Sequence, residues 1–215
     1  MGDTMIEVLK SGGIIMIPIA LCGAASVFIL IERLYFFVSV KRSEKSFAPD
    51  IEALLAAGDF DAAESFCSAQ DIPCAKAVQA AVQNRNLEES ALKDIVQVKL
   101  DCAAAECRRF LPELSTLSSV STLLGLLGTV TGNIRAFGIL GDGGALGNPS
   151  LLAGAIAESL VTTAAGLSVA IPSAVFFQVF ESQADKRILF MEQTVTSALA
   201  SIAGKTCGLR RELRE

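Results

Sequence analysis

Three long stretches of the chain are almost free of charge. Residues 11–31 and 114–134 contain no Asp, Glu, Lys or Arg, and residues 143–180 contain only Glu158. A helix of about 20 apolar residues crosses a hydrocarbon core of about 30 Å, and only helices or closed barrels satisfy their backbone in lipid. The sequence lacks the alternating segments typical of a barrel. The pattern therefore predicts an all-α membrane protein with three spanning helices that have long cytoplasmic helical extensions.

The alternative is a soluble all-α protein whose apolar helices are buried in a core. Three separate windows of spanning length argue against it. The segment between the first two windows is different, because its apolar residues recur at helical spacing among charges. There we predict several short helices, one of them beginning at an Asp59 cap, followed by a longer helix over residues 87–109.

Lys and Arg predict the orientation of the spans. The loop at residues 141–149 has neither, and residues 1–10 contain one, whereas Arg33, Lys41 and Arg42 lie near the opposite ends of the spans. Because Lys and Arg accumulate in cytoplasmic loops, we expect the N-terminus outside and the C-terminus inside.

Composition removes several classes of function. Net charge is −5, there is no histidine, and the six cysteines form no CxxC pair. We therefore expect no nucleic-acid partner, no metal and no cofactor, with free thiols in a reducing compartment. There is also no Ser-His-Asp set and no phosphate-binding loop, so we do not expect an enzyme.

Small residues mark the second and third spans. The second contains Gly125, Gly128 and Gly132, and the third contains Gly166 after Thr162 and Thr163. Small residues let membrane helices approach closely. The two patches predict tight helix packing or a narrow lumen.

Two threonines share one predicted depth. Thr129 lies about a dozen residues before the outer loop and Thr163 about a dozen after it, ~18 Å along each helix at ~1.5 Å per residue. Several copies around an axis would bring these hydroxyls into a ring near mid-membrane. The alternative is that each threonine bonds a carbonyl of its own helix.

Glu158 is the carboxylate inside the third span. Such a group costs at least ~2.5 kcal/mol and usually faces a cavity, a partner or an ion path. Arg135 in the second span could instead pair with it in a purely structural contact. At about 100° per residue, Thr162 shares the face of Glu158, whereas Thr163 is about 140° away.

The motifs GLLGTVTG (125–132) and IAESLVTTAAGLSVAIPS (156–173) resemble the MotA/TolQ/ExbB proton channel family, closest to ExbB and TolQ. The first span, with its Gly-Gly, Met-x-Pro and Glu-Arg landmarks, is similar too. The resemblance implies a homopentamer in the bacterial inner membrane. It also implies a single-span ExbD/TolR-like partner with a membrane aspartate and a TonB- or TolA-like protein that spans the periplasm.

By motif position, the resemblance makes Thr129 and Thr163 the pore hydroxyls and Glu158 the family's intramembrane glutamate. The transported ion would be H⁺, with Na⁺ as the alternative. The chain departs from the family pattern at Thr122, which replaces a proline, and at Asn133 and Arg135, which add polarity to the outer part of the second span. Asn133, Arg135 and Thr162 are therefore secondary candidates for the pathway.

Two functions remain open from the sequence. The first is the stator subunit of a proton-motive-force-driven motor, and the second is a passive membrane scaffold that conducts no ion. The predicted organisation is a periplasmic segment (1–10), a first span (11–37), a cytoplasmic helical domain (38–112), a second span (113–140), a periplasmic loop (141–149), a third span with a cytoplasmic extension (150–185), and a cytoplasmic C-terminal helix and tail (186–215).

Overall fold

The computed structural model describes residues 13–70, 72–141 and 149–212, and their side chains except at 41–46 and 204–212. These residues contain helices and no strand. The helices are α1 (Met16–Ala57), α2 (Phe60–Ser68), α3 (Pro73–Gln83), α4 (Glu89–Arg108), α5 (Leu111–Gly141) and α6 (Pro149–Glu212). The predicted all-α class is confirmed. The predicted segment 1–10 and the interior of the loop 141–149 lie outside the described residues.

Among the described residues, three helical stretches are long and apolar enough to cross a membrane. They are Met16–Val40, Glu89–Gly141 and Pro149–Ala203, with mean hydropathies of 1.9, 1.4 and 1.8 in their most apolar windows. The chain is therefore a multi-pass membrane protein by length and composition. The side of the membrane on which each end lies stays a prediction, as does the oligomeric state.

The first helix continues beyond the predicted span at residues 11–37. It runs on to Ala57, with Pro49 inside it. Beyond the span, buried side chains still recur at helical spacing on one face of the helix. They are Val40, Phe47, Ile51 and Leu55. Continued burial on one face stabilises a helix more than its exposed residues weaken it.

A backbone break separates α4 from α5. Phe110 has φ of 61°, the left-handed region that bulky residues rarely adopt. The Arg33 guanidinium lies 5.6 Å from the centre of the Phe110 ring, and Arg33 is also paired with Glu32 at 2.6 Å. The second span therefore lies in a new helix, which begins at Leu111.

The last helix is longer than predicted. We expected one helix to end near Asp185 and a second to follow, but α6 is continuous from Pro149 to Glu212. Buried residues recur every three or four positions across the expected boundary, at Ala184, Arg187, Met191 and Val195. No glycine lies between Gly166 and Gly204, and no proline follows Pro172, so nothing interrupts the ladder there.

The chain divides into two compact units. The first comprises residues 1–33 and 110–179, and the second comprises residues 34–109 and 180–215. The first unit contains the most apolar part of each span. The second unit contains α2, α3 and α4 together with the remaining parts of α1 and α6.

The second unit has a core of large side chains. The rings of Phe47 and Phe66 stack at 5.6 Å, and those of Phe37 and Phe180 at 5.5 Å. Arg187 is buried against Phe37 and donates a hydrogen bond to its carbonyl at 2.9 Å. This carbonyl contact satisfies part of the buried cation's hydrogen-bonding capacity.

Two local features of the second unit follow from its sequence. The predicted Asp59 cap is confirmed, because its carboxylate accepts a bond from the Ala62 N–H at 3.0 Å. Burial and, to a lesser degree, the nearby Glu64 carboxylate raise the pKa of Cys67 to about 11. The Cys67 thiol is therefore neutral at physiological pH.

Candidate ion pathway beside a glycine seam

One stripe of small residues lies along the inner face of α5. The stripe has helical spacing and is buried, and its members are Ser118, Ser121, Gly125, Gly128, Gly132 and Ala136. It faces an equally small stripe on α6, whose buried members are Ala155, Ser159, Thr162, Gly166, Ala170 and Ser173. We call the contact of these two stripes the seam.

The glycines of the seam permit close approach of the two helices. A Cβ atom at Gly166 would lie 2.6 Å from the Ser121 carbonyl oxygen and 2.9 Å from the Gly125 Cα. A Cβ atom at Gly128 would lie 2.5 Å from Thr162 Cγ2, and one at Gly132 would overlap Ser159. Backbone meets backbone at Gly166, so any side chain there forces the helices apart.

Hydroxyl groups bond across the seam. Ser118 donates to the Ala170 carbonyl at 2.8 Å, and Thr163 donates to the Gly125 carbonyl at 2.8 Å. In lipid, such bonds add to close packing in holding helices together. Thr163 thus joins the two motifs singled out in the sequence.

Thr129 lies next to the seam on α5. Its side chain donates to the Leu126 carbonyl at 2.7 Å, and the residue is half-buried. The hydroxyl proton is engaged in this bond. The hydroxyl oxygen can therefore act only as an acceptor, toward a hydrogen-bond donor or a cation. Thr163 is in the same condition, since its proton is shared between the Gly125 and Ser159 carbonyls.

Thr162 is placed differently from Thr163. It is buried at 2% exposure, packs on Gly128, and donates to the Glu158 carbonyl at 2.8 Å. A side chain enclosed in this way has no open surface within the chain. Within one chain its position is that of a packing residue, and a role in the pathway stays a prediction from the sequence.

Glu158 and Arg135 form an ion pair between α6 and α5. Arg135 Nη1 lies 2.5 Å from Glu158 Oε2, and their side chains are 62% and 27% exposed. The pair is thus not fully buried within one chain. Asn133, the remaining secondary candidate, is exposed on α5.

The seam separates the threonines from the ion pair. Thr163 and Glu158 are five residues apart on α6, about 140° around the helix, and Thr129 and Arg135 are about 120° apart on α5. Glu158 also lies against Gly13, just before α1, where a Cβ would overlap its Oε1. The ion pair therefore faces the α1 side of the seam, and the threonines face the other side.

A polar face of α5 continues from Thr129 in both directions along the helix. Ser115, Ser119, Thr122, Thr129 and Asn133 recur at intervals of four, three, seven and four residues, which places them on one side. All five are half-buried or exposed. We call this set the polar stripe. Ser115 and Ser119 were not among the residues predicted from the sequence, although the helical period of the hydroxyl residues could have revealed them.

These features define a multi-pass membrane protein with a glycine-packed helix pair and a polar stripe beside it. A model of the MotA/TolQ/ExbB proton channel family matches residues 69–193. The chain belongs to the MotA/TolQ/ExbB proton channel family, as the motif resemblance predicted.

Relatives named as biopolymer transport proteins align along most of the chain. An ExbB-like protein (ExbB-like 3) of Synechocystis sp. is 29% identical over 86% of this chain and 89% of its own length. A second (ExbB-like 1), from the same organism, is 32% identical over 82% of this chain and 70% of its own length. The exbB1 protein of Vibrio cholerae is 26% identical over 95% of this chain and 91% of its own length. The chain is thus a member of a channel family with relatives in biopolymer transport.

Proposed function

We propose that the chain is the stator subunit of an ion-driven motor in a bacterial inner membrane. Several copies, five by analogy with the family, surround a single-span partner of the ExbD/TolR type. The partner supplies a membrane aspartate, and a TonB- or TolA-like protein receives the mechanical work for outer-membrane transport or envelope integrity. The N-terminus faces the periplasm, and the C-terminus faces the cytoplasm.

The observation that carries this proposal is the pair Thr129 and Thr163. They lie on neighbouring helices on one side of the seam, and both hydroxyl protons are donated to backbone carbonyls. Their oxygens are therefore acceptors. An acceptor suits a protonated carboxyl group or a hydrated cation, but it offers no donor to a charged carboxylate. In our proposal, the partner's aspartate becomes protonated at this level and passes the threonines in its neutral form.

The polar stripe extends the same chemistry along α5. Ser119 and Thr122 each donate to the carbonyl four residues back, at 3.2 and 3.1 Å. The polar stripe thus carries hydroxyl acceptors at Ser119, Thr122 and Thr129, with Leu126 between the last two. We propose that it faces the lumen around the partner helix, and that H⁺ leaves toward the cytoplasm along it.

The test is proton flux in liposomes that contain the chain copurified with its single-span partner. Thr129→Val removes the acceptor and keeps the shape. We expect flux to fall tenfold or more, the effect of about 1.4 kcal/mol on a rate. Thr131→Val is the matched control, because Thr131 is on the same helix and bonds its own carbonyls, but it lies outside the polar stripe. Equal flux in wild type and Thr129→Val would overturn the proposal.

The seam itself favours a second candidate, a passive scaffold. Glycines and cross-seam hydrogen bonds would hold helices together even if no ion moved. In that case no partner with a membrane aspartate would copurify, and variants would fail only in assembly.

A second measurement distinguishes H⁺ from Na⁺ as the transported ion. The flux measurement is repeated with Na⁺ replaced by K⁺, and we expect unchanged flux if the ion is H⁺.

A further inference from the structure

Arg135 and Glu158 are isolated charges within the described spans. Between Glu113 and Gly141, α5 carries no other charged residue, and between Pro149 and Phe180, α6 carries none but Glu158. A lone charge at such a position is costly, and the loss of one partner leaves the other uncompensated. The pair is therefore favourable only as a unit.

The contact of Glu158 with Gly13 adds a third helix to the pair. Gly13 has φ of 65° and precedes the first residue of α1 by three positions. A side chain at this position would overlap the Glu158 carboxylate and would also be strained. The glycine therefore allows the start of α1 to lie directly on the ion pair.

The direction of the pair argues against a role in carrying ions. Glu158 faces Arg135 and Gly13, whereas Thr129 and Thr163 lie on the opposite side of the seam. An ion that follows the polar stripe does not meet this carboxylate.

We propose that Arg135 and Glu158 form a charge latch that fixes the outer ends of α5 and α6 to the start of α1. Glu158 is then a positioning residue, which sets the relative height of Thr129 and Thr163, and Arg135 is its obligatory partner. The inference rests on the proposed function for its effect on flux. The latch itself can be measured without flux.

The test is a double-variant cycle on the copurified complex. Glu158→Gln and Arg135→Gln each leave one charge without its partner. We expect each to lower flux by roughly tenfold and to lower the melting temperature of the complex. The double variant leaves no unpaired charge, so it recovers most of the flux and most of the melting temperature. The exchanged pair, Arg135→Glu with Glu158→Arg, recovers them further because the attraction returns.

An ion carrier at Glu158 gives the opposite pattern. Flux would be lost in Glu158→Gln and in both double variants, while Arg135→Gln stayed active, and that result would overturn the latch. Additive melting shifts would overturn it as well. If wild type itself conducts nothing, the proposed function fails, but the melting cycle still decides whether the latch exists. Recovery of stability in the double variants would then support the latch alone.

Discussion

The seam of the first unit and the core of the second unit bury different kinds of residue. Along the seam the packed positions are small, such as Ser121, Gly125 and Gly166, while in the same unit Phe28 and Phe137 are 68% and 73% exposed. The core of the second unit includes large side chains, such as Phe47 and Ile51, at 1% and 0% exposure. The arrangement of the second unit is the one that the hydrophobic effect favours in water, because it removes apolar surface from the solvent.

The packing of the first unit is the kind expected in lipid. Lipid is as apolar as the exposed side chains, so burying large residues gains little, and helices associate through close contact of small ones. The same helices serve both arrangements. Along α1 the buried stripe keeps its spacing from Ile29 to Leu55, while the outward residues change from Phe28 and Ile31 to Asp50 and Glu52. What changes along α1 is the surrounding medium.

The largest expected effect comes from placing a charge on matched exposed positions of the two units. Leu123 in α5 and Val98 in α4 are 63% and 61% exposed. We expect Leu123→Asp to oppose membrane insertion by ~2.5–3.5 kcal/mol and Val98→Asp to have almost no effect. Membrane-fraction yield measures both. Normal insertion of Leu123→Asp would contradict the assignment of this face to lipid or to a neighbouring copy.

A smaller effect is expected from adding one methyl group at the seam. Gly166→Ala places a Cβ against the Ser121 carbonyl and the Gly125 backbone, where nothing flexible can yield. Overpacking of this kind costs about 1–3 kcal/mol. The melting temperature of the purified complex should therefore fall.

Gly138→Ala is the matched control for the seam, since a Cβ at Gly138 meets nothing within 4 Å. It is expected to leave the melting temperature unchanged or to raise it slightly, because alanine favours a helix. Equal losses in the two variants would show that helix propensity, and not the seam, determines the result.

The smallest effect concerns pH and belongs to the second unit. The pKa of Cys67 is raised to about 11 by burial and, to a lesser degree, by Glu64, from an ordinary value of 9.0. A raised pKa means that the folded state holds the thiol proton more tightly. The contribution to the free energy of unfolding is thus complete below pH 9 and is lost as pH rises from 9 to 11.

Thiol labelling followed by peptide mapping measures this effect. Cys102 is exposed, whereas Cys67 is buried. We expect alkylation of Cys102 at pH 8.5 and of Cys67 only near pH 11 or after unfolding, because the thiolate is the reactive form. Rapid labelling of Cys67 at pH 8.5 would show that the thiol is not enclosed.

The sequence was sufficient for features that depend on period and composition. Charge-free windows predicted the three spans, and Asp59 before Phe60 predicted a capped helix that the structure contains. Both are local consequences of burial and hydrogen bonding. Helical extensions of the spans were predicted, but the sequence did not show where α1 and α6 end, because the buried stripe there depends on tertiary partners.

The relation between the candidate site residues required coordinates. The sequence placed Glu158 and Thr163 on different faces but could not say what lay between them, and the structure places the seam there. The left-handed conformation of Phe110 could not be predicted from the sequence either, since a bulky residue at positive φ is held there by its neighbours and not by its own preference. Whether the threonines and Glu158 act on an ion remains a prediction.

The most direct test determines which face of α5 is accessible to water in the assembled complex. Thr129→Cys and Val130→Cys would be made in a background without other cysteines and treated with a membrane-impermeant thiol reagent. The two positions are adjacent, but they lie about 100° apart around the helix. We predict labelling of the Thr129→Cys complex and none of the Val130→Cys complex. Labelling at 130 alone would place the threonine toward lipid and contradict the proposed pathway.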